Sequence, residues 1–420
     1  MRTTSGKGLP APLTGPVDLG ELPPDDPHAA LVEGSPLART LFSVYAGEPA
    51  TVVKSPPGAG KSTLLAQVVA HLFERTDASV TVGCFTNVQG GAVADRLAAA
   101  LGDAPDGRAR VVVSSNVPVN AHVARGAEHP ASRHVQVRTI ASCMQNRPKT
   151  DLLLVDEAYQ VTFAAFAEAA DGVPQVLAVG DPGQIGPVVP FDAGAWERMA
   201  SSPAQRAPEV LIERNGAAVI DLPVTFRLGP ASARAVAPLY DFPFESGRLA
   251  RHVDGFDGEI SAVVVPAAES PFSLATLSVV ADAAARYVGA PLTETMLDGS
   301  VVRRPLTAKD VAIVVSRNGQ ASALQAMLAQ AGLGEVTIGT ADRLQGGQWH
   351  AVVALDPTTA GAESDFALAS GRLCVMASRH MTHLTWVHDG TWRDVLDARA
   401  DRVDAERAAL VRSRLVGEEP

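Results

Sequence analysis

Lysine is scarce in this chain: Lys7, Lys54, Lys61, Lys149 and Lys309 are the only ones in 420 residues. Lysine and arginine together number 35 against 46 acidic residues, a formal net charge of −11. That balance excludes a histone-like binder, because sequence-independent affinity for nucleic acid rests on phosphate neutralisation by cations. It leaves open a local groove in which backbone amides, hydroxyls and a few arginines hold a strand. Cysteine is equally sparse. Cys84, Cys143 and Cys374 have neither metal-ligand spacing nor a disulfide plan, which fits a reducing compartment. No apolar run reaches the roughly 18 residues of a membrane helix, and no apolar signal core opens the sequence. The expectation is a cytoplasmic protein without a membrane partner.

Apolar residues make up 46% of the chain, ample for sizeable cores. Residues 1–30 are rich in Pro, Gly and Asp without periodicity and read as a flexible leader. Beyond them, short apolar runs alternate with helical patterns: 51–53 then 63–73, 80–85 then 92–101, 152–155 then 162–170, and 176–179. A second series begins at 260–265 and continues through a helix over 274–287, a strand at 311–315, a helix over 320–331, and strands at 336–338, 351–355 and 384–388. Strand-helix alternation of this kind predicts parallel α/β sheets. The chain therefore divides into an N-terminal α/β domain over 31–215, a C-terminal one over 216–400, and a charged terminal helix over 401–420.

The first chemical signal is Ser55-Pro56-Pro57-Gly58-Ala59-Gly60-Lys61-Ser62-Thr63, which follows the apolar run at 51–53. It reads as a strand turning through a phosphate-cradling loop into a helix. Small residues let successive N–H groups converge on phosphates at a helix N-terminus, Lys61 reaches the β/γ oxygens, and Ser62 offers its hydroxyl to Mg²⁺. The first glycine of the usual G-x-x-x-x-G-K-[ST] pattern is here Ser55. The second signal is the apolar run 152–155 ending in Asp156 and Glu157, followed by Ala158, Tyr159 and Gln160. At the C-terminal edge of a parallel sheet, one carboxylate can hold Mg²⁺ while the other orients and deprotonates a water. A small-molecule kinase could use the same two elements.

Further blocks follow in order: Gly180-Asp181-Pro182-Gly183-Gln184, Val224-Thr225-Phe226-Arg227, Thr340-Ala341-Asp342-Arg343-Leu344-Gln345-Gly346-Gly347-Gln348, and Ala377-Ser378-Arg379. Together with the loop and the acid pair, the ordered set resembles the superfamily 1 helicases, in particular the DEAxQ-bearing superfamily 1B branch with the Upf-type enzymes. The resemblance implies two tandem RecA-like P-loop domains, ATP and Mg²⁺ as cofactors, and movement on single-stranded nucleic acid, with DNA favoured over RNA and a protein partner possible.

Carried over residue by residue, it implies that Pro57, Gly58, Ala59, Gly60, Lys61, Ser62 and Thr63 hold the phosphates, that Gln345 and Gln348 line the nucleotide, and that Ser62 and Asp156 hold the metal. Lys61, Glu157, Gln184, Arg227 and Arg379 would be catalytic: Glu157 as base, Gln184 as γ-phosphate sensor, and the two arginines as fingers. Thr86 and Asn87, Thr139, and Thr340 would touch the strand's backbone, although Thr, Ser and Asn at such places also serve as ordinary helix caps. The sequence departs from the family at Gln348, where glutamate is usual, and at Gly186, which replaces the first proline of a pair. The implied activity is an ATP-dependent translocase or helicase. Two alternatives stand beside it: a nucleotide-gated clamp or remodelling ATPase that does not unwind duplex, and a small-molecule phosphotransferase.

Overall fold

The computed structural model describes residues 32–114, 117–126, 130–189, 196, 202–362, 368–399 and 403–418. The expected leader over 1–30 lies outside the described residues. The chain forms two compact units. The first comprises Met1–Ser55, Gly60–Pro182 and Gly186–Leu222; the second comprises Pro56–Ala59, Gly183–Ile185 and Pro223–Pro420.

The first unit runs α1 (Pro36–Tyr45), β1 (Ala50–Lys54), α2 (Lys61–Arg75), β2 (Val80–Cys84), α3 (Asn87–Leu101), β3 (Val111–Val113), β4 (Val123–Arg125), β5 (Val135–Thr139), α4 (Ile140–Gln145), β6 (Leu152–Asp156), α5 (Phe163–Ala169), β7 (Gln175–Gly180), α6 (Ala207–Asn215) and β8 (Ala218–Asp221). Its eight strands lie in the order β4-β3-β5-β2-β6-β7-β1-β8, and every pairing is parallel. Strands buried on both faces need apolar residues at every position. Accordingly Leu152, Leu153, Leu154 and Val155 are all fully buried. One face, made of Ala50, Val52, Leu153, Val155, Val176 and Ala178, packs on residues of α4, α5 and α6 such as Ile140, Phe166 and Leu211.

The second unit contains β9 (Val224–Thr225), α7 (Pro230–Val236), β10 (Glu245–Ser246), β11 (Arg251–Val253), β12 (Ile260–Val264), α8 (Leu274–Ala285), β13 (Pro291–Thr295), β14 (Val301–Pro305), β15 (Val311–Val315), α9 (Asn318–Gln330), β16 (Thr337–Thr340), α10 (Ala341–Leu344), β17 (Trp349–Leu355), α11 (Ser370–Ser378), β18 (His380–His388), α12 (Trp392–Asp397) and α13 (Val403–Leu415). Its main sheet, β12-β18-β17-β15-β16, is also wholly parallel. The strands alternate between two cores, as the period of two requires. Ala312, Val314, Val352, Ala354 and Trp386 face α7, α11, α12 and α13. Val311, Ile313, Val315, Val353 and Val387 face α8 and α9.

The fold is thus the parallel α/β class expected, in two units. Besides the short strands β3, β4 and β5, which the sequence reading does not mark, three features differ from it. Residues 218–221 form the edge strand of the first sheet, paired with β1, so that sheet reaches past residue 215. Helix α3 starts at Asn87 rather than 92, because Thr86 and Gln89 exchange side-chain and backbone bonds in a capping box. The second unit also carries a small antiparallel sheet, β11-β13-β14, whose short strands carry neither an apolar run nor an alternation that would mark them.

Candidate functional site

In the first unit the phosphate-type loop grows directly out of β1. Ser55 is fully buried, and both its N–H and its hydroxyl donate to the carbonyl of Gly180, at 3.0 and 3.1 Å. The residue that departs from the glycine pattern therefore ties the loop to the end of β7. Gly60 takes φ +83° and caps α2 without any side-chain bond, a left-handed conformation that costs other residues roughly 1 kcal/mol or more. An N-terminus left uncapped by side chains presents its N–H groups to an anion, and a Cβ built on Gly60 meets nothing within 4 Å. Lys61, Ser62 and Thr63 form the first turn of that helix.

Strand β6 ends at Asp156, which is 5% exposed. Glu157 follows at φ +55°, one of two non-glycine residues in the positive region among those described, and such strain is characteristic of sites where geometry is over-determined. The turn brings the Glu157 carboxylate to 3.4 Å from the Lys61 ammonium, while its N–H donates to Asp156 Oδ1 at 3.0 Å. Burial, and then the charge of Glu157, push the Asp156 carboxyl up to about 7, against the lowering pull of Lys61 and Arg96. A carboxyl poised in this way exchanges its proton readily for a divalent cation. The donor set suits Mg²⁺: one carboxylate and one hydroxyl supplied by protein, with the remaining positions open to phosphate oxygens and water. Among the described residues no cluster of three or more His, Cys, Asp or Glu could hold a metal by itself. Arg96 on α3 also reaches Thr63 Oγ1 at 3.5 Å; it escaped the sequence reading because nothing in its spacing marks it.

Strands β2 and β5 pair so that Cys84 lies beside Thr139. The C-terminal ends of β2, β3 and β5 thus carry Asn87, Ser114, Arg138 and Thr139 to one small pocket, lined also by Gly90, Val113 and Val137. The hydroxyls expected to touch a strand have local work as well. Thr86 Oγ1 accepts the Gln89 N–H at 3.2 Å and Thr139 Oγ1 accepts the Ser142 N–H at 3.2 Å, both as N-caps. Arg138, which precedes Thr139 in the sequence, also lines this pocket, and its guanidinium donates to the Asn146 carbonyl at 3.0 Å.

In the second unit, Pro57, Gly58 and Ala59 pack against the segment after β9. Thr225 Oγ1 donates to the Pro57 carbonyl at 2.6 Å and the Phe226 N–H to the Gly58 carbonyl at 3.0 Å. Gly58, at φ +75°, lies so close to Arg227 Cβ that no side chain would fit there. Arg227 Nε donates to Gln348 Oε1 at 3.2 Å, and its Nη1 to the Ser378 carbonyl at 3.4 Å. Arg379, 1% exposed, donates to the Gly347 carbonyl at 3.4 Å and to Ser378 Oγ at 3.2 Å. Gln345 Nε2 lies 3.5 Å from Gln184 Oε1. The unit therefore gathers Gln184, Arg227, Gln345, Gln348 and Arg379, five of the residues singled out from the sequence. Thr340 is the N-cap of α10, without a side-chain capping bond.

Residues 39–213 match the family model described as an AAA domain. No curated protein matches the sequence. Among solved structures, the chain is similar to the PRRSV helicase at 15% identity and a TM-score of 0.45, covering 84% of this chain and 54% of that one. It is similar to arterivirus nonstructural protein 10, a helicase solved with DNA, at 16% identity and a TM-score of 0.48, covering 82% and 61%. A further arterivirus nonstructural protein 10 structure matches at 16% identity and 0.47, covering 86% and 63%. The chain thus spans less than two thirds of the length of these helicase chains. Among the described residues no helix is long and apolar enough to cross a membrane.

Proposed function

We propose that this chain is a nucleoside-triphosphate hydrolase that moves on single-stranded nucleic acid, of superfamily 1 helicase type. The observation that carries the reading is the convergence of Lys61, Glu157 and the buried Asp156 at the mouth of an uncapped helix N-terminus. The loop amides and Lys61 would bind the triphosphate, and Ser62 and Asp156 would hold Mg²⁺, whose chemistry is to neutralise charge on the β- and γ-phosphates. Glu157 would orient the attacking water and take its proton as the water oxygen bonds to the γ-phosphorus and the β–γ bridge breaks. Lys61 lies 3.4 Å from that carboxylate. Gln184 would sense the γ-phosphate, and Arg227 and Arg379 would stabilise charge on the transferred phosphoryl group. Such a guanidinium is worth on the order of 10³-fold in rate.

The AAA-domain match over the first unit supports nucleotide use. The ordered blocks in both units support the motor reading, with single-stranded DNA favoured over RNA as track and a 5′→3′ bias by analogy with the 1B branch. Asn87, Arg138, Thr139 and Thr340 are proposed to face the strand's backbone, contacts that position without reading sequence. Lys61→Ala tests the loop assignment: turnover of ATP is expected to vanish while the fold persists, and full ATPase activity in that variant removes the assignment. A clamp that hydrolyses ATP without unwinding is the second reading, favoured by the modest size of the antiparallel β11-β13-β14 addition. Displacement of a strand from a tailed duplex separates the two.

A further inference from the structure

Arg227 and Arg379 arrive from distant parts of the chain, and one buried polar cluster grips the backbone beside both. Glu259, in the turn before β12, accepts the N–H and the hydroxyl of Ser232 at 2.9 and 3.0 Å. Ser232 lies in the first turn of α7, the helix that begins three residues after Arg227. The same carboxylate is 3.3 Å from the Arg248 guanidinium, with the two side chains 15% and 6% exposed. Arg248 donates in turn to the carbonyls of Met381 and Thr382, at 2.7 and 3.4 Å, just beyond Arg379. His380, the residue directly after Arg379, places Nε2 2.7 Å from Ser232 Oγ.

The protons are assigned by elimination. The Ser232 hydroxyl hydrogen goes to Glu259, so its oxygen accepts from His380, which must carry its proton on Nε2. Burial and neighbouring cations hold the His380 imidazole well below its ordinary range, and hence neutral. A second path runs to Leu228, next to Arg227: its carbonyl accepts the Ser246 hydroxyl at 2.6 Å, and Ser246 Oγ accepts the Arg248 N–H at 3.2 Å. Gly229 explains how the carboxylate comes so near. Its φ of −75° is ordinary, yet a Cβ there would collide with the Glu259 carboxylate and the Arg248 guanidinium. Glycine is required for room and not for conformation.

We infer that Glu259, Arg248, Ser232 and His380 form a brace that fixes Arg227 and Arg379 relative to each other, making Glu259 a positioning residue for nucleotide hydrolysis. The inference rests on the functional reading above. Removing the Glu259 charge leaves Arg248 and the α7 N-terminus without their shared anion, and loosens both arginines without touching either. Misplacement of a catalytic group by about 1 Å costs on the order of 10²-fold in rate.

The test is steady-state ATP turnover, with single-stranded DNA present, of Glu259→Gln, Arg227→Lys, Arg379→Lys and the double variants. Glu259→Gln is expected to lower kcat about tenfold or more with KM within about twofold, and to lower it less than about twofold further in either lysine background, because the brace holds the two arginines as one unit and replacing either already forfeits what their mutual placement supplies. Losses that multiply in the double variants, or a wild-type kcat in Glu259→Gln, overturn the brace. Lysine variants that turn over like wild type overturn instead the role of the arginines, and the brace with it. Ser232→Ala, which removes the His380 link and the hydroxyl bond to Glu259 but keeps the backbone N–H bond to that carboxylate, is expected to lower kcat a few-fold at unchanged KM. Should Glu259→Gln not fold, an unchanged kcat in Ser232→Ala refutes the proposal.

Discussion

Replacing Asp356 by alanine should be among the most damaging single changes in the second unit. Asp356 follows β17, and its carboxylate is paired with Arg412 on α13, with side chains 1% and 0% exposed. The pair is bidentate, with Nε–Oδ2 at 2.9 Å and Nη2–Oδ1 at 3.3 Å, and Oδ1 also accepts the Thr358 N–H and hydroxyl at 2.9 and 2.7 Å. Asp356→Ala strands the Arg412 guanidinium in the core beside the Ala408 carbonyl, 3.4 Å away, without its counter-ion. Breaking a buried pair from one side costs about 3–5 kcal/mol. For a domain near 200 residues that corresponds to a fall in Tm of roughly 6–20 °C.

The assay is thermal or denaturant unfolding followed through Trp386 and Trp392, both buried in the core cluster that α13 completes. The double variant Asp356→Ala/Arg412→Met removes both charges and should recover most of the loss, because the penalty belongs to the unpaired ion and not to the absent bond. A single variant within about 1 kcal/mol of wild type, or a double variant that simply adds the two losses, refutes this reasoning.

Two further outcomes follow from the same structure. Glu157→Gly relieves a left-handed conformation at φ +55° and should stabilise the first unit by up to about 1 kcal/mol while abolishing turnover; a less stable or still active variant contradicts the assignment. His383 places Nδ1 2.6 Å from the Tyr287 hydroxyl, and burial lowers its imidazole to about 4. A folded value below the unfolded one means stability present above about pH 6.5 and lost as the pH falls towards 4. His383→Asn, which keeps an acceptor, should flatten that acid limb in denaturant titrations; an unchanged slope removes His383 from the explanation.

The parallel sheets and their helices were legible because central strands such as 152–155 and 311–315 are unbroken apolar runs, and because Gly-rich loop and acid pair mark the ends of two of them. The loop at Lys61, the acid pair at Asp156 and the block at Gln184 stood out for the same reason: each ends or follows a strand whose apolar residues announce it. What stayed hidden depends on partners distant in sequence. Nothing near Glu259 or Arg248 shows that they meet Ser232 and His380. The role of Ser55 depends on Gly180, far along the chain. Strands β3 and β4 are three residues each, too short for periodicity to register. The threonines expected to face a nucleic-acid strand were ambiguous for a different reason, since the same hydroxyl geometry caps a helix and approaches a phosphate oxygen.

The most direct measurement is ATP turnover by the wild-type chain alone and with single-stranded DNA, single-stranded RNA or blunt duplex. The account predicts that a single strand raises kcat several-fold, that DNA does so more than RNA, and that blunt duplex has little effect. Turnover unchanged by all three would contradict a motor and leave only a nucleotide-binding loop with its acid pair.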